Sequence, residues 1–577
     1  MLKKILLSAC SFALVLGAGA QELRDNFYVK VLSEELDRNI RRLRLPDLGK
    51  PFFISYKLRN TVSQSLRAER GRIVTPFSGP SETKTASVKL LVGDYHRNFD
   101  YLFNDGSYIV LPDENNADEF RRVLWLETDR AYKKTAQQYN ATMAALKRVT
   151  VDPKELELHD LSRIRAEVKD LGERPPIPRA GIERWKPLLE KLSALFVAYP
   201  QITTSSCHLA VTHAEEYLVS SEGAIIRRPV SQALLTISAA MPGDDGTNIF
   251  ETYDEYVTRI DDLPDATALE AAARGIIKRI LERDQASKFE GAYLGPVLFE
   301  GESLSNLISG FFRYSLGVNR KSILYPDNST TFYEDKLGQK LVAADLSLTA
   351  LPRLKAYGGR HTTGAFDIDY DGVEPPDSLV LVRNGVLKSL LNGRTPTRKF
   401  QEPGGFAYGE RAYSAGVLKL TADKVAPLKD MKKELVKAAK EEGLPYAYIV
   451  RNVNVSYGQA PYLYRIDTAT LKEELLTGFK FTNLNMRSMR RFVIAANQLR
   501  LWNQSFYSVI CPQSMIIGEI ELEAENSVVK AKPIIVTNPL LDKKAHSGPS
   551  GVFHPRPAHR RTSLEAAPVK TRRTSKK

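Results

Sequence analysis

The sequence has 577 residues, 43% apolar and 26% charged, with a formal net charge of +14. That length gives room for two to four domains of roughly 100–200 residues each, and the composition is that of a soluble globular protein. The charge excludes a uniformly basic fold: ten Lys/Arg against Glu565 lie beyond Asp542, and Lys3 and Lys4 precede residue 20, so the body between is nearly balanced.

The first twenty residues, "MLKKILLSACSFALVLGAGA", join two lysines to an apolar run and the small residues Ala18-Gly19-Ala20. This is the pattern of a secretory signal peptide cut after Ala20. "LSAC", ending at Cys10, imitates a lipoprotein box, but the apolar run before it is too short. No later stretch approaches the roughly 18–20 apolar residues that span a bilayer. The expectation is an exported protein, periplasmic or extracellular, and soluble after cleavage.

Residues 21–287 read as a mixed α/β domain. Asn26 to Leu45 has helical spacing, with Leu32, Leu36, Ile40 and Leu43 near one face. Two runs that alternate and turn at Gly71 read as paired strands. A long helix is predicted from about Ala117 to Lys147, capped by Asn115 or Asn116. After the break "ERPPIPRAG" comes a helix around Trp185–Phe196. Strands return over 201–250, with a turn at Ser221-Glu222-Gly223. Leu263 to Asp284 is a helix with Asp265 as N-cap. Residues 288–541 read as β-rich, with one short helix after Gly291 and otherwise strands and turns. Asn384-Gly385 marks a type I′ hairpin, and "IIGEIELEAE" alternates. Residues 542–577 form a basic tail too poor in bulky apolar residues to order itself.

Candidate chemistry is sparse. Cys207 and Cys511 stand far apart and in no metal-ligand spacing, and read as two buried thiols. His208 and His213, five apart in a strand region, point to opposite faces and read as structural. Asp367, Asp369, Asp371 and Gly372 copy the opening of a calcium loop, with His361 nearby. The twelfth position is Ser378, however, and the segment reads as a solvated acidic turn. Glu300 and Glu302 could share a face of an extended segment, or lie on the surface. "FEGESL", Phe299 to Leu304, joins a strand to a helix whose Leu304, Leu307, Ile308, Phe311 and Phe312 form one apolar stripe.

Four segments together resemble the TldD/PmbA family, also called modulators of DNA gyrase and regarded as metallopeptidases. They are "YLVSSEGAIIRRP" (217–229), "GAYLGPVLFEGES" (291–303), "DIDYDGVEPPDSLVLVRNGVLKSLLNGRTPTRKF" (367–400) and "YRIDTATLKEELLTGFKFTNLNMRSMRRF" (464–492). The resemblance implies a two-domain α+β fold, with the N-terminal mixed α/β domain followed by a β-rich C-terminal metallopeptidase-like domain. It also implies a His-Glu-x-x-x-His motif where "FEGESL" stands, with two zinc ligands and a glutamate acting as general base on metal-bound water. Zinc chemistry needs about three protein ligands and an open site. Here the ligand positions are Phe299 and Leu304, neither able to hold a metal. Glu300 matches the glutamate as a vestigial general-base position. The family's third ligand, a cysteine, is expected near "LRLWNQSFYS", and Cys511 is not equated with it.

The expected protein is therefore a metallopeptidase relative that handles unfolded peptide as a non-catalytic subunit. It holds no metal or other cofactor of its own, where active relatives hold zinc. It pairs as a homodimer, or as a heterodimer with an active TldD-like subunit, and takes no nucleic acid as partner. Peptide would add as a strand to a sheet edge. Two alternatives stand beside this reading: an active metallopeptidase with unrecognised ligands, and an envelope binding or scaffold protein whose basic tail makes weak anionic-surface contact.

Overall fold

The computed structural model describes residues 21–525, apart from 46–48, 75–78, 104–106, 244–247, 325–332, 452–461 and residues 319 and 411. The described residues fall in one compact unit. The signal peptide expected at 1–20 and the basic tail expected at 542–577 lie outside the described residues.

Long strands dominate the first half. Pro51–Glu69, Ser81–Val92, Thr204–Ser220, Ile225–Pro242 and Asn248–Val257 build most of an eight-stranded sheet. Each pairs antiparallel with its neighbour in that sheet. Alternation decides which face is buried, because successive side chains leave a strand on opposite sides. On one face Ile54, Tyr56 and Leu58 pack with Tyr217 and Val219 beneath the helices Phe27–Arg42 and Ala117–Leu146. Farther along the same strands, Leu66, Cys207, Leu209 and Leu235 pack beneath Lys186–Ala194 and Ala266–Asp284. The other face carries Lys57, Arg59, Glu216, Leu218 and Arg228 and looks toward the second half, where Ile368 joins Leu218 and Ile226 in a small apolar cluster.

The helix starts follow from side-chain caps, which satisfy backbone N–H groups that have no partner within the helix. Asn26 accepts from the N–H groups of Tyr28 and Val29, Asn116 from those of Asp118 and Glu119, and Asp265 from that of Ala268. Gly71 (φ +83°) turns the first hairpin, and Asn384 (φ +48°) with Gly385 (φ +75°) turns a later one, as a type I′ turn requires.

The second half is layered. A nine-stranded sheet and a six-stranded sheet enclose the largest apolar core, which includes Phe299, Leu304, Leu348, Leu418, Val450, Val509 and Met515. The helix Glu302–Phe312 lies in that core. On the far face of the nine-stranded sheet, Leu298, Ile449 and Ile516 pack against a second helix, Met431–Glu441. The expectation of a single helix beyond Gly291 is thereby corrected. Met431, Leu435, Val436 and Ala439 fall on one buried face of this helix, and Gly443 (φ +69°) follows its end. The short strand Ser287–Lys288 pairs with Leu476–Thr477 at the edge of the nine-stranded sheet.

Candidate functional site

The corner at Phe299–Leu304 is built from the end of the strand Ala292–Glu300, a glycine, and the first turn of Glu302–Phe312. Phe299 pairs in register with Val450 on one side and Met515 on the other. Gly301 takes φ +63°, a conformation that side chains other than glycine's rarely adopt. Its N–H donates to the Gln513 carbonyl at 2.7 Å, and the Ser303 hydroxyl donates to the Val450 carbonyl at 2.9 Å. The corner is thus fixed by backbone pairing on both flanks.

Its side chains are those of a core. Phe299 and Leu304 are both fully buried, and the Phe299 ring lies 6.3 Å from that of Phe481. Glu300 turns the other way and accepts from Arg451 Nε at 2.8 Å. Arg451 also donates to Glu473 at 2.7 Å, and Glu473 is shared with Lys432. Burial works against the Glu473 carboxylate, but its hydrogen bonds to Arg451 and Lys432 hold its pKa below the usual carboxylate range. Glu300 is therefore one arm of an ion-pair network, its carboxylate engaged by a guanidinium that cannot give up its proton.

Glu302 does not share an extended face with Glu300, because Gly301 reverses the chain and Glu302 begins the helix. Although Glu302 keeps contact with solvent, the surrounding protein desolvates it, and with Asp254 and Glu255 nearby its pKa is raised. The hairpin expected to carry a third ligand, Leu499–Gln504 with Tyr507–Pro512, does lie against the corner. Gln504 Nε2 donates to Asn306 Oδ1 at 3.1 Å, and a Cβ on Gly301 would sit 3.8 Å from the Trp502 ring. The corner and the facing hairpin are present: Phe299 and Leu304 belong to the core, while the hairpin brings Trp502 to Gly301 and Gln504 to Asn306.

Zinc does not fit this donor set. Among the described residues no group of three or more His, Cys, Asp or Glu is arranged to hold a metal ion. Cys511 is buried in the core strand Tyr507–Pro512, and burial raises its pKa. Cys207 belongs to the core under the first sheet and is pushed up to about 12 by burial. Both thiols are free. His208 and His213 sit five apart on the strand Thr204–Ser220, and His213 Nδ1 donates to the Pro175 carbonyl at 2.8 Å. His361 Nδ1 meets Asp262 at 2.9 Å.

The segment Asp367–Gly372 corrects the expectation of a solvated acidic turn. Asp369 is 3% exposed, and its carboxylate accepts from the backbone N–H groups of Asp371, Val373 and Ala407 at 2.8–2.9 Å. Asp371 pairs with Lys57 at 3.2 Å, and the Lys57 ammonium lies 3.2 Å from the centroid of the Tyr370 ring. Lys89 adds contacts to Asp100 at 2.6 Å and Glu410 at 3.7 Å. Burial opposes the Lys89 charge, yet these carboxylates raise its pKa. The turn is a plug of opposite charges that docks onto the first sheet, and it is buried because its cations come from strands some 300 residues earlier.

Sequence reasoning missed Arg451, Lys57, Lys89 and the Arg59–Glu216–Arg228 triad. Their only signal is a charge inside an otherwise apolar strand. Such a charge names no partner until the strand register is known.

Residues 291–455 match the family model of the PmbA/TldA metallopeptidase C-terminal domain. Over these residues the chain is similar to the TldD/PmbA family. The fold agrees over a longer span. A Thermotoga maritima protein named as a modulator of a DNA gyrase matches with a TM-score of 0.54 at 12% identity, over 85% of this chain and 99% of its own. A Bacteroides thetaiotaomicron protein with a similar name matches with a TM-score of 0.56 at 15% identity, over 86% and 98%. TldE from Thermococcus kodakarensis matches with a TM-score of 0.52 at 11% identity, over 86% and 100%. At these identities the likeness is one of fold. No curated protein matches the sequence.

Proposed function

We propose that this TldD/PmbA-family chain is an exported, non-catalytic subunit that handles unfolded peptide beside an active partner of its own fold. The observation that carries the reading is the corner itself. Two fully buried apolar side chains, Phe299 and Leu304, occupy the positions where the resemblance places zinc ligands, and Glu300 is engaged by Arg451. A glutamate can act as general base on water only where the water is acidified and within reach. Among the described residues no ligand set supplies the metal. Peptide handling draws support from topology: the strand Leu499–Gln504 is the outer strand of the six-stranded sheet and lies beside the corner. An extended peptide can add to such an edge through backbone hydrogen bonds with little demand on its sequence.

The test is metal analysis and peptide cleavage by the purified protein lacking residues 1–20, alone and after co-purification from its native host. Alone, it should carry no stoichiometric zinc and leave an unfolded peptide intact. Chelator-sensitive cleavage by the chain alone, with zinc at one per chain, would sink the proposal.

A further inference from the structure

Between the first sheet and the second half lies a cleft of about 580 Å³, away from the Phe299–Leu304 corner. Its floor is a cross-strand triad on three neighbouring strands: Arg59 faces Glu216, and Glu216 faces Arg228. Arg59 Nη1 donates to Glu216 at 2.7 Å, and Arg228 Nε donates to the other oxygen at 2.6 Å. Arg228 is also bound to the Ile368 carbonyl at 2.6 Å. One carboxylate therefore serves two guanidinium groups, and the triad keeps a net positive charge. Arg59 Nη2 has no partner among the described residues.

The wall opposite is Phe506, whose ring centroid is 5.6 Å from the Arg59 guanidinium carbon. Phe506 takes φ +49° at the tip of the hairpin Leu499–Pro512. A bulky residue in the left-handed region is strained and persists only where its surroundings hold it there. Here they do so from both sides. Its N–H donates to Gln232 Oε1 at 3.2 Å, and Arg313 donates to the preceding Ser505 carbonyl at 3.0 Å. The strain fixes an aromatic ring over a partly unpaired guanidinium at the wall of a cavity. Tyr408, 39% exposed, stands on the rim.

We infer that this cleft is a side-chain pocket for an aromatic residue of an extended peptide. The ring would lie in the cleft against Phe506 and Arg59, which already touch each other, with the peptide backbone running out past Tyr408. The electron-rich face of an aromatic ring complements the surplus cation of the triad, and offset ring pairs add to that attraction. The volume falls within the range of about 300–1,000 Å³ typical of ligand pockets, enough for one aromatic side chain and the backbone on either side of it. The inference rests on the peptide-handling reading above and adds to it a location and a preference.

The test is calorimetric titration of the full chain with two unlabelled nine-residue Gly/Ser/Thr peptides, one with a central Phe and one with a central Ala. Burial of a phenylalanine contributes about 1.5–3 kcal/mol, so the Phe peptide should bind at least about tenfold more tightly. Phe506→Gly removes the ring at a backbone position glycine tolerates, and Ser231→Trp fills the cleft from the sheet side. Each should bring the Phe peptide down to the affinity of the Ala peptide. Equal affinities for wild type overturn the pocket while leaving peptide handling intact. A preference that survives both variants overturns its location. Binding of neither peptide overturns both readings.

Discussion

Arg451 shows how much a single side chain decides at the Phe299–Leu304 corner. It binds Glu300 and Glu473 together, each with a side chain about one-quarter exposed. Arg451→Met would leave two carboxylates facing each other without their shared cation. Hydrogen bonds to charged groups contribute about 1.5–3 kcal/mol each; partial exposure discounts that, so a loss of about 2 kcal/mol in denaturant unfolding is expected. Glu300→Gln keeps the shape and one acceptor and should cost less than half as much. If Glu300→Gln proved the more damaging, the ion-pair account would be wrong. The sequence makes the lack of metal-binding atoms at Phe299 and Leu304 legible, because Phe and Leu have no donor atoms wherever they sit. It does not make the ion pair of Glu300 legible, since Arg451 is about 150 residues away and meets Glu300 only through the parallel pairing of Ala292–Glu300 with Tyr446–Val450.

Elements whose signals are local are the ones a sequence reading recovers. Asn26, Asn116 and Asp265 announce three helices by their own capping chemistry, and Asn384-Gly385 announces its hairpin. The helix Met431–Glu441 carries a local signal too, with Met431, Leu435, Val436 and Ala439 at helical spacing and its lysines exposed, but it is short and its neighbours are strands. The Asp367–Gly372 turn escapes because its burial depends on the sheet it meets. Gly372 is the point of closest approach, with φ +84°, and an added Cβ would lie 2.9 Å from Leu218 and 3.0 Å from Ile226. Gly372→Ala should therefore destabilise the protein by about 1–2 kcal/mol through backbone strain and crowding. It should also raise proteolysis at this turn before the rest of the chain. A thermal midpoint and cleavage pattern equal to wild type would refute the tight docking described here.

At the scale of the whole molecule, acid should act through the first sheet. Burial lowers the pKa of both His208 and His213, with Arg67 adding to the effect at His208, while the bond to Pro175 only partly offsets it at His213. The unfolded chain then binds protons more readily than the folded one. Stability contributed by keeping these imidazoles neutral is complete above about pH 6.5 and is lost as pH falls through their folded values. The stability of wild type relative to His213→Gln should therefore fall between pH 7 and pH 5.5, read as the difference between their denaturant midpoints. Among the described residues no helix is long and apolar enough to cross a membrane. The order of strands also governs synthesis. Ser514–Ala524 runs along Ala292–Glu300 in the interior of the nine-stranded sheet, although more than two hundred residues separate them. Until the ribosome has released that strand, Ala292–Glu300 has an open flank and Phe299 has no Met515 beside it. The second half thus becomes a folded body only after residue 524 has been made, and a chain stopped short of residue 514 would expose a sticky apolar edge for the cell's quality control to find.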